Sequence, residues 1–165
     1  MANNCVLGID PGAKGAIALL SVDGELLKVV DMPVTQEANG RHATNAALLS
    51  AIVANAQCRR IFCEFVAARP TDAKVAAFAF GRARGVIEGV AGAFDLELIF
   101  ITPPVWKRYA GVPPGKQNKD VARTRAIARW PAQAELFARK GDVDRAEAAL
   151  IGAAGLHLRS GGAAP

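Results

Sequence analysis

Cysteine and histidine are scarce in this chain. Its three cysteines, Cys5, Cys58 and Cys63, are odd in number and lack paired metal-ligand spacing, and there are only two histidines. That argues against a structural zinc site and against a disulfide scaffold, so the cysteines read as buried thiols in a reducing compartment. Long apolar runs are also missing. None reaches transmembrane length, and the N-terminus lacks a basic stretch followed by an apolar core and cleavage site. The expectation is a soluble, cytoplasmic protein with no membrane partner. No internal repeat or low-complexity block stands out from a general richness in alanine and glycine.

With 52% hydrophobic and 21% charged residues, the 165-residue chain has the composition of an ordinary globular protein. It is long enough to bury a core without staples. Residues 1–160 are expected to form one domain and 161–165 a flexible tail. The net charge of +5 favours a polyanionic partner.

The organising stretch is Val6-Leu7-Gly8-Ile9-Asp10-Pro11-Gly12, an apolar run that delivers one carboxylate and breaks at Pro-Gly. Asp10 suits either turn chemistry or ligand duty. Ala16 to Ser21 and Leu26 to Met32 flank Val22-Asp23-Gly24-Glu25, a hairpin signal, so three consecutive strands open the chain. Pro33 to Thr44 reads as a loop. Leu48, Leu49, Ile52, Val53 and Ala56 then follow helical spacing, with Thr44 or Asn45 as the cap.

Arg59 to Phe65 is a short buried strand around Ile61-Phe62-Cys63, and it delivers Glu64 as the first strand delivers Asp10. After a loop from Phe65 to Asp72, a helix over Ala73 to Ala93 carries Gly81, Gly85 and Gly89 on one face. Glycine inside a helix costs about 1 kcal/mol relative to alanine. Three in register therefore imply close approach of another backbone, either the sheet, which is the favoured partner, or a second subunit. Leu96 to Thr102 is the fifth strand. Lys107, Arg108, Lys116, Lys119, Arg123, Arg125 and Arg129 gather from Trp106 through the helix Lys119 to Trp130, interleaved with Trp106 and Tyr109. Basic and aromatic residues together suit phosphate contact and base stacking. A solvated basic helix beside two core aromatics is the alternative.

The last helix runs from about Asp142 to Arg159 and presents Asp144 and Glu147, three apart, on one face. Asp142 reads as its cap, with ligand duty as the alternative. The order of elements predicts an α/β fold with a five-stranded mixed sheet, a three-strand antiparallel meander followed by parallel strands, flanked by helices. Strand ends would then bring Asp10 and Glu64 together, with Asp144 and Glu147 added by the final helix. Four oxygen donors point to Mg2+, with Mn2+ as substitute, and two ions per site suit phosphodiester hydrolysis. Asp10 is the candidate bridging ligand, and Lys107 or Lys119 the candidate stabiliser of phosphate charge.

Gly8-Ile9-Asp10-Pro11-Gly12, the strand ending in Glu64, Gly81-Arg82-Ala83-Arg84-Gly85-Val86, the Pro-x-Val-x-Lys of Pro103 to Lys107, and Asp144-Arg145-Ala146-Glu147-Ala148 resemble the RuvC family of Holliday junction resolvases. The resemblance implies a ribonuclease H-like fold, a homodimer, Mg2+ dependence and symmetric nicking of four-way DNA junctions. It maps the family's catalytic acids onto Asp10, Glu64, Asp144 and Glu147, the last a glutamate where the family has aspartate, and its lysines onto Lys107 and Lys119. Phe65, Arg69 and Arg82 join the basic residues as candidate DNA contacts. Ala67 stands where bacterial members carry an aromatic residue, which suggests a divergent or phage-type enzyme with broader branched-DNA specificity. A ribonuclease H-fold enzyme acting on RNA and a catalytically silent junction-binding module are the alternatives. An actin-like ATPase would need a second similar domain.

Overall fold

A computed structural model of the chain describes residues 5–67, 71, 73–115 and 118–161. β1 (Cys5–Asp10), β2 (Ala16–Ser21) and β3 (Leu26–Asp31) form the antiparallel meander. After a ribbon of β4 (Val34–Gln36) and β5 (His42–Thr44) and helix α1 (Ala46–Ala56), β6 (Arg60–Glu64) runs parallel to β1. Helix α2 (Lys74–Ala93) leads to β7 (Glu97–Ile101), parallel to β6. The sheet order is β3-β2-β1-β6-β7, consistent with the expected five-stranded mixed sheet of an antiparallel meander followed by parallel strands. The chain ends with α3 (Pro103–Ala110), α4 (Lys119–Arg129), a 3-10 segment (Pro131–Phe137) and α5 (Val143–Arg159).

Alternation along β1 divides the core in two. Leu7 and Ile9 pack with Leu49 and Val53 of α1 and with Ile87 and Val90 of α2. Val6 faces the opposite layer, where Ala146, Leu150 and Ile151 of α5 join Trp106 and Phe137. Side chains of a strand alternate between its faces, so Asp10 lies on the α5 side.

The α5 layer comes very close to the sheet. A Cβ added to Gly8 would fall on the Ala148 carbonyl oxygen and against the Gly152 backbone. One added to Gly155 would enter the Phe62 ring. Only hydrogen atoms fit between β1 and α5 here, and this contact sets where the head of α5 sits.

Several sequence expectations change. The loop from Pro33 to Thr44 contains the β4–β5 ribbon, whose three-residue polar strands are too short to show a period. Asn45 rather than Thr44 caps α1, its Oδ1 accepting the Leu48 amide at 3.0 Å. Pro103-Pro104 opens α3, a helix not expected from the sequence, because proline is tolerated in a first helical turn. Gly81, Gly85 and Gly89 do not pack on the sheet: an added Cβ at any of them meets nothing within 4 Å. Cys5 and Cys58 form a disulfide, leaving Cys63 as a buried thiol. Pairing of β1 with β6 places Leu7 beside Ile61, so the residues leading into the two strands come together and the Cys5 and Cys58 Cα atoms lie 5.1 Å apart. No helix among the described residues is long and apolar enough to cross a membrane. The expected tail beyond Gly161 lies outside the described residues.

The contact at Gly8 yields a stability prediction. Gly8→Ala should cost about 1–3 kcal/mol through overpacking, measured as a lower thermal midpoint, because the added methyl meets α5 backbone and not a flexible side chain, so the helix must shift away from β1.

Candidate metal and nucleic-acid site

Asp10 ends β1 and is 8% exposed. Two residues earlier, Gly8 holds α5 against the strand, and on that helix Glu147 immediately precedes Ala148 and Asp144 lies one turn before it. A ligand oxygen from each of Asp10, Asp144 and Glu147 lies within 4.8 Å of the others. Three carboxylates this close repel unless a cation lies among them. The donors are all hard oxygens, which suits Mg2+ or Mn2+.

Glu64 ends β6 beside Asp10, one step beyond the Ile9 and Cys63 pair. Its side chain is not one of the three that converge. Instead its Oε1 accepts the indole N–H of Trp106 at 2.7 Å. Burial pushes the Glu64 carboxyl above its ordinary range, while the Trp106 hydrogen bond and the Lys107 charge pull it back. Burial likewise raises the Cys63 thiol, with the Asp10 and Glu64 charges adding to the effect.

Trp106 is fully buried in α3, so it cannot stack on a base as the aromatic-basic pattern suggested. Tyr109 is packed within the fold too, its ring 4.9 Å from that of His157 and 5.5 Å from the Arg129 guanidinium. Lys107 follows Trp106, with its Nζ 5.2 Å from the indole, and Arg108 is exposed beyond it.

Several basic candidates have structural partners. Arg123 donates to the Phe137 and Ala138 carbonyls at 2.9 and 2.7 Å, tying α4 to the 3-10 segment. Arg125 donates to Gly111 at 3.2 Å. Arg82 pairs with Glu37, joining α2 to the turn between β4 and β5. Phe65 packs edge-on against Phe100, ring centroids 5.9 Å apart, and Arg84 lies over both rings. Arg69, Lys116 and the side chain of Lys119 lie outside what the structure describes.

Asp142 is 2% exposed and turned away from helix capping: its side chain makes no cap hydrogen bond. It accepts the Arg139 amide at 2.8 Å and the Arg139 guanidinium at 2.7 Å. It is not one of the three converging acids. Sequence reasoning missed Arg145 altogether, although it lies inside the Asp144 to Ala148 motif. Its partner, Asp31, is 114 residues away, and no local pattern could have revealed it.

Among solved structures, the chain is similar to Thermus thermophilus RuvC in complex with a Holliday junction substrate, with a TM-score of 0.67 at 20% identity over 98% of this chain and 99% of that one. It is also similar to the yeast mitochondrial Holliday junction resolvase Ydc2, with a TM-score of 0.60 at 12% identity over 96% and 82% of the two chains. A fowlpox virus resolvase complexed with junction DNA gives a TM-score of 0.57 at 13% identity over 93% and 99%. No protein-family model and no curated protein sequence matches. The chain thus has the fold of these resolvases along nearly its whole length.

The Arg139 hydrogen bond lowers the Asp142 carboxyl below its ordinary value of 3.8. A carboxyl depressed on folding contributes stability that is complete above its unfolded pKa and lost as pH falls through the folded value. Asp142→Asn should therefore cost about 1–3 kcal/mol at pH 7. In thermal melts, the gap to wild type should narrow once the pH drops below about 3.8.

Proposed function

We propose that the chain is a metal-dependent endonuclease that resolves four-way DNA junctions by paired, symmetric phosphodiester hydrolysis. The observation that carries this reading is the convergence of Asp10, Asp144 and Glu147 within 4.8 Å, in a fold shared with RuvC over 98% of the chain.

Asp10, Asp144 and Glu147 would hold one divalent cation, with Mg2+ the natural ion and Mn2+ its substitute. Glu64, beside Asp10 on the neighbouring strand, would complete a site for a second. When bound, such ions stabilise the developing charge of a phosphodiester in in-line displacement and make the attacking water more acidic. The protein's own part is placement. Asp10 comes from the sheet and the acidic pair from α5, so β1 and α5 together fix their separation. Trp106 engages one Glu64 oxygen, and the other would be offered to a cation beside Asp10. Lys107, the next residue of α3, would meet a non-bridging phosphate oxygen, and exposed Arg108 would extend the contact along the backbone.

Two equivalent nicks require two sites related by a two-fold axis. The outer face of α2 suits a self-complementary contact. Phe78, 73% exposed, shares it with Gly81, Gly85 and Gly89, which leave room for a second α2 to approach closely. A homodimer formed through this face, working in the cytoplasm, is the assembly we propose.

The test is nicking of labelled four-way junctions and matched linear duplex, with Mg2+ or chelator. Wild type should give paired nicks in the junction only when metal is present, and Asp10→Asn should lower the rate on the order of 10^2–10^3-fold. Metal-independent nicking, or nicking by Asp10→Asn at the wild-type rate, refutes the reading. Preferential cleavage of RNA, or tight junction binding without cleavage, would move the assignment to an RNA nuclease or a binding module. Trp106→Phe keeps an aromatic ring in the core but removes the donor to Glu64. It should slow junction nicking by about 10–100-fold, with junction affinity measured in chelator unchanged.

A further inference from the structure

Strand register sets a row across the sheet from Asp10 through Ala16 to Asp31. Residues directly opposite on neighbouring strands share a face, so Asp31 lies on the same side as Asp10 with only the alanine between them. Strands are spaced about 4.8 Å apart, which puts Asp31 about 10 Å from Asp10. Arg145, which follows Asp144 and precedes Glu147 by two residues, donates to both Asp31 oxygens, Nε to Oδ1 at 2.6 Å and Nη2 to Oδ2 at 2.7 Å. Its Nη1 lies 3.8 Å from Asp142 Oδ1. The pairing lowers the Asp31 carboxyl below its ordinary range and raises the Arg145 guanidinium.

Arginine stays protonated at all relevant pH values, and its planar fork matches a carboxylate. The Asp10, Asp144 and Glu147 cluster is thus exposed to a permanent cation carried on its own helix turn. Loose, that side chain could turn back over Ala16 and neutralise the acids itself.

We propose that Asp31 holds Arg145 away from the carboxylate cluster, so that a divalent cation and not the guanidinium neutralises it. This rests on the metal-site reading above. Asp31 touches no reacting group; it is a positioning residue, and the network Asp31–Arg145–Asp142–Arg139 is its anchorage. Because the Asp31 side chain is 67% exposed, its ion pair contributes little to overall stability, and Asp31→Asn should fold normally.

The test is a double-mutant cycle read by calorimetric titration of Mn2+ into wild type, Asp31→Asn, Arg145→Gln and the double variant, each checked by thermal melting. Asp31→Asn should weaken Mn2+ binding about tenfold when Arg145 is present. In the Arg145→Gln background the same change should have less than about a twofold effect, because no guanidinium remains to be restrained. A simple loss of one negative charge near the site would weaken binding equally in both backgrounds. That result, or no weakening in either, overturns the inference. Wild-type protein that binds no Mn2+ refutes the metal site itself, and the inference with it. Mg2+ dependence of junction nicking should follow the same pattern.

Discussion

The backbone contact between β1 and α5 at Gly8 and Gly152 is the constraint on which the rest depends. A side chain at Gly8 would enter the α5 backbone, and one at Gly152 would displace Leu20 and press on Gly8; as α5 shifted from β1, Asp144 and Glu147 would move away from Asp10. The same interface supplies the apolar burial of the α5 layer, where alanines on the helix fit the narrow gap left by the sheet. Packing and chemistry are therefore inseparable here. The small residues that let α5 lie close are also those that place three like charges together.

That placement creates an electrostatic problem, and the surroundings answer it in pieces. Glu64 is partly relieved by an indole N–H and the Lys107 charge. Arg139 satisfies buried Asp142, and Arg145 is drawn toward Asp31. Many of the remaining arginines are engaged with backbone carbonyls or aromatic rings. The chain's net charge of +5 thus overstates the positive surface open to a polyanion. Lys107 and Arg108 stand out because α3 presents them directly after the tryptophan that holds Glu64.

The sheet was legible because hairpin chemistry at Asp23-Gly24 and the two later apolar runs each leave a local signal. Asp10, Asp144 and Glu147 were legible for a similar reason: an acid at a strand end or at helical spacing on an apolar face is conspicuous within a few residues. What sequence could not show depends on distant pairing. Trp106 meets Glu64 across 42 residues, and Arg145 meets Asp31 across 114. The glycine face of α2 was legible as a pattern, but among the described residues no close approach occurs there, and the favoured partner, the sheet, does not pack on it. Period shows which residues share a face; it does not show what that face meets. The disulfide was missed because three widely spaced cysteines do not show which two pair, even where the strands they flank are expected to lie together.

On the proposed function, the acids on β1 and α5 form one metal site. Anomalous diffraction from crystals soaked in Mn2+ tests it most directly. Mn2+ should be coordinated by oxygens of Asp10, Asp144 and Glu147, with Glu64 keeping its Trp106 hydrogen bond and offering its second oxygen to another ion. Mn2+ bound elsewhere, with those three carboxylates unligated at saturating metal, would contradict it.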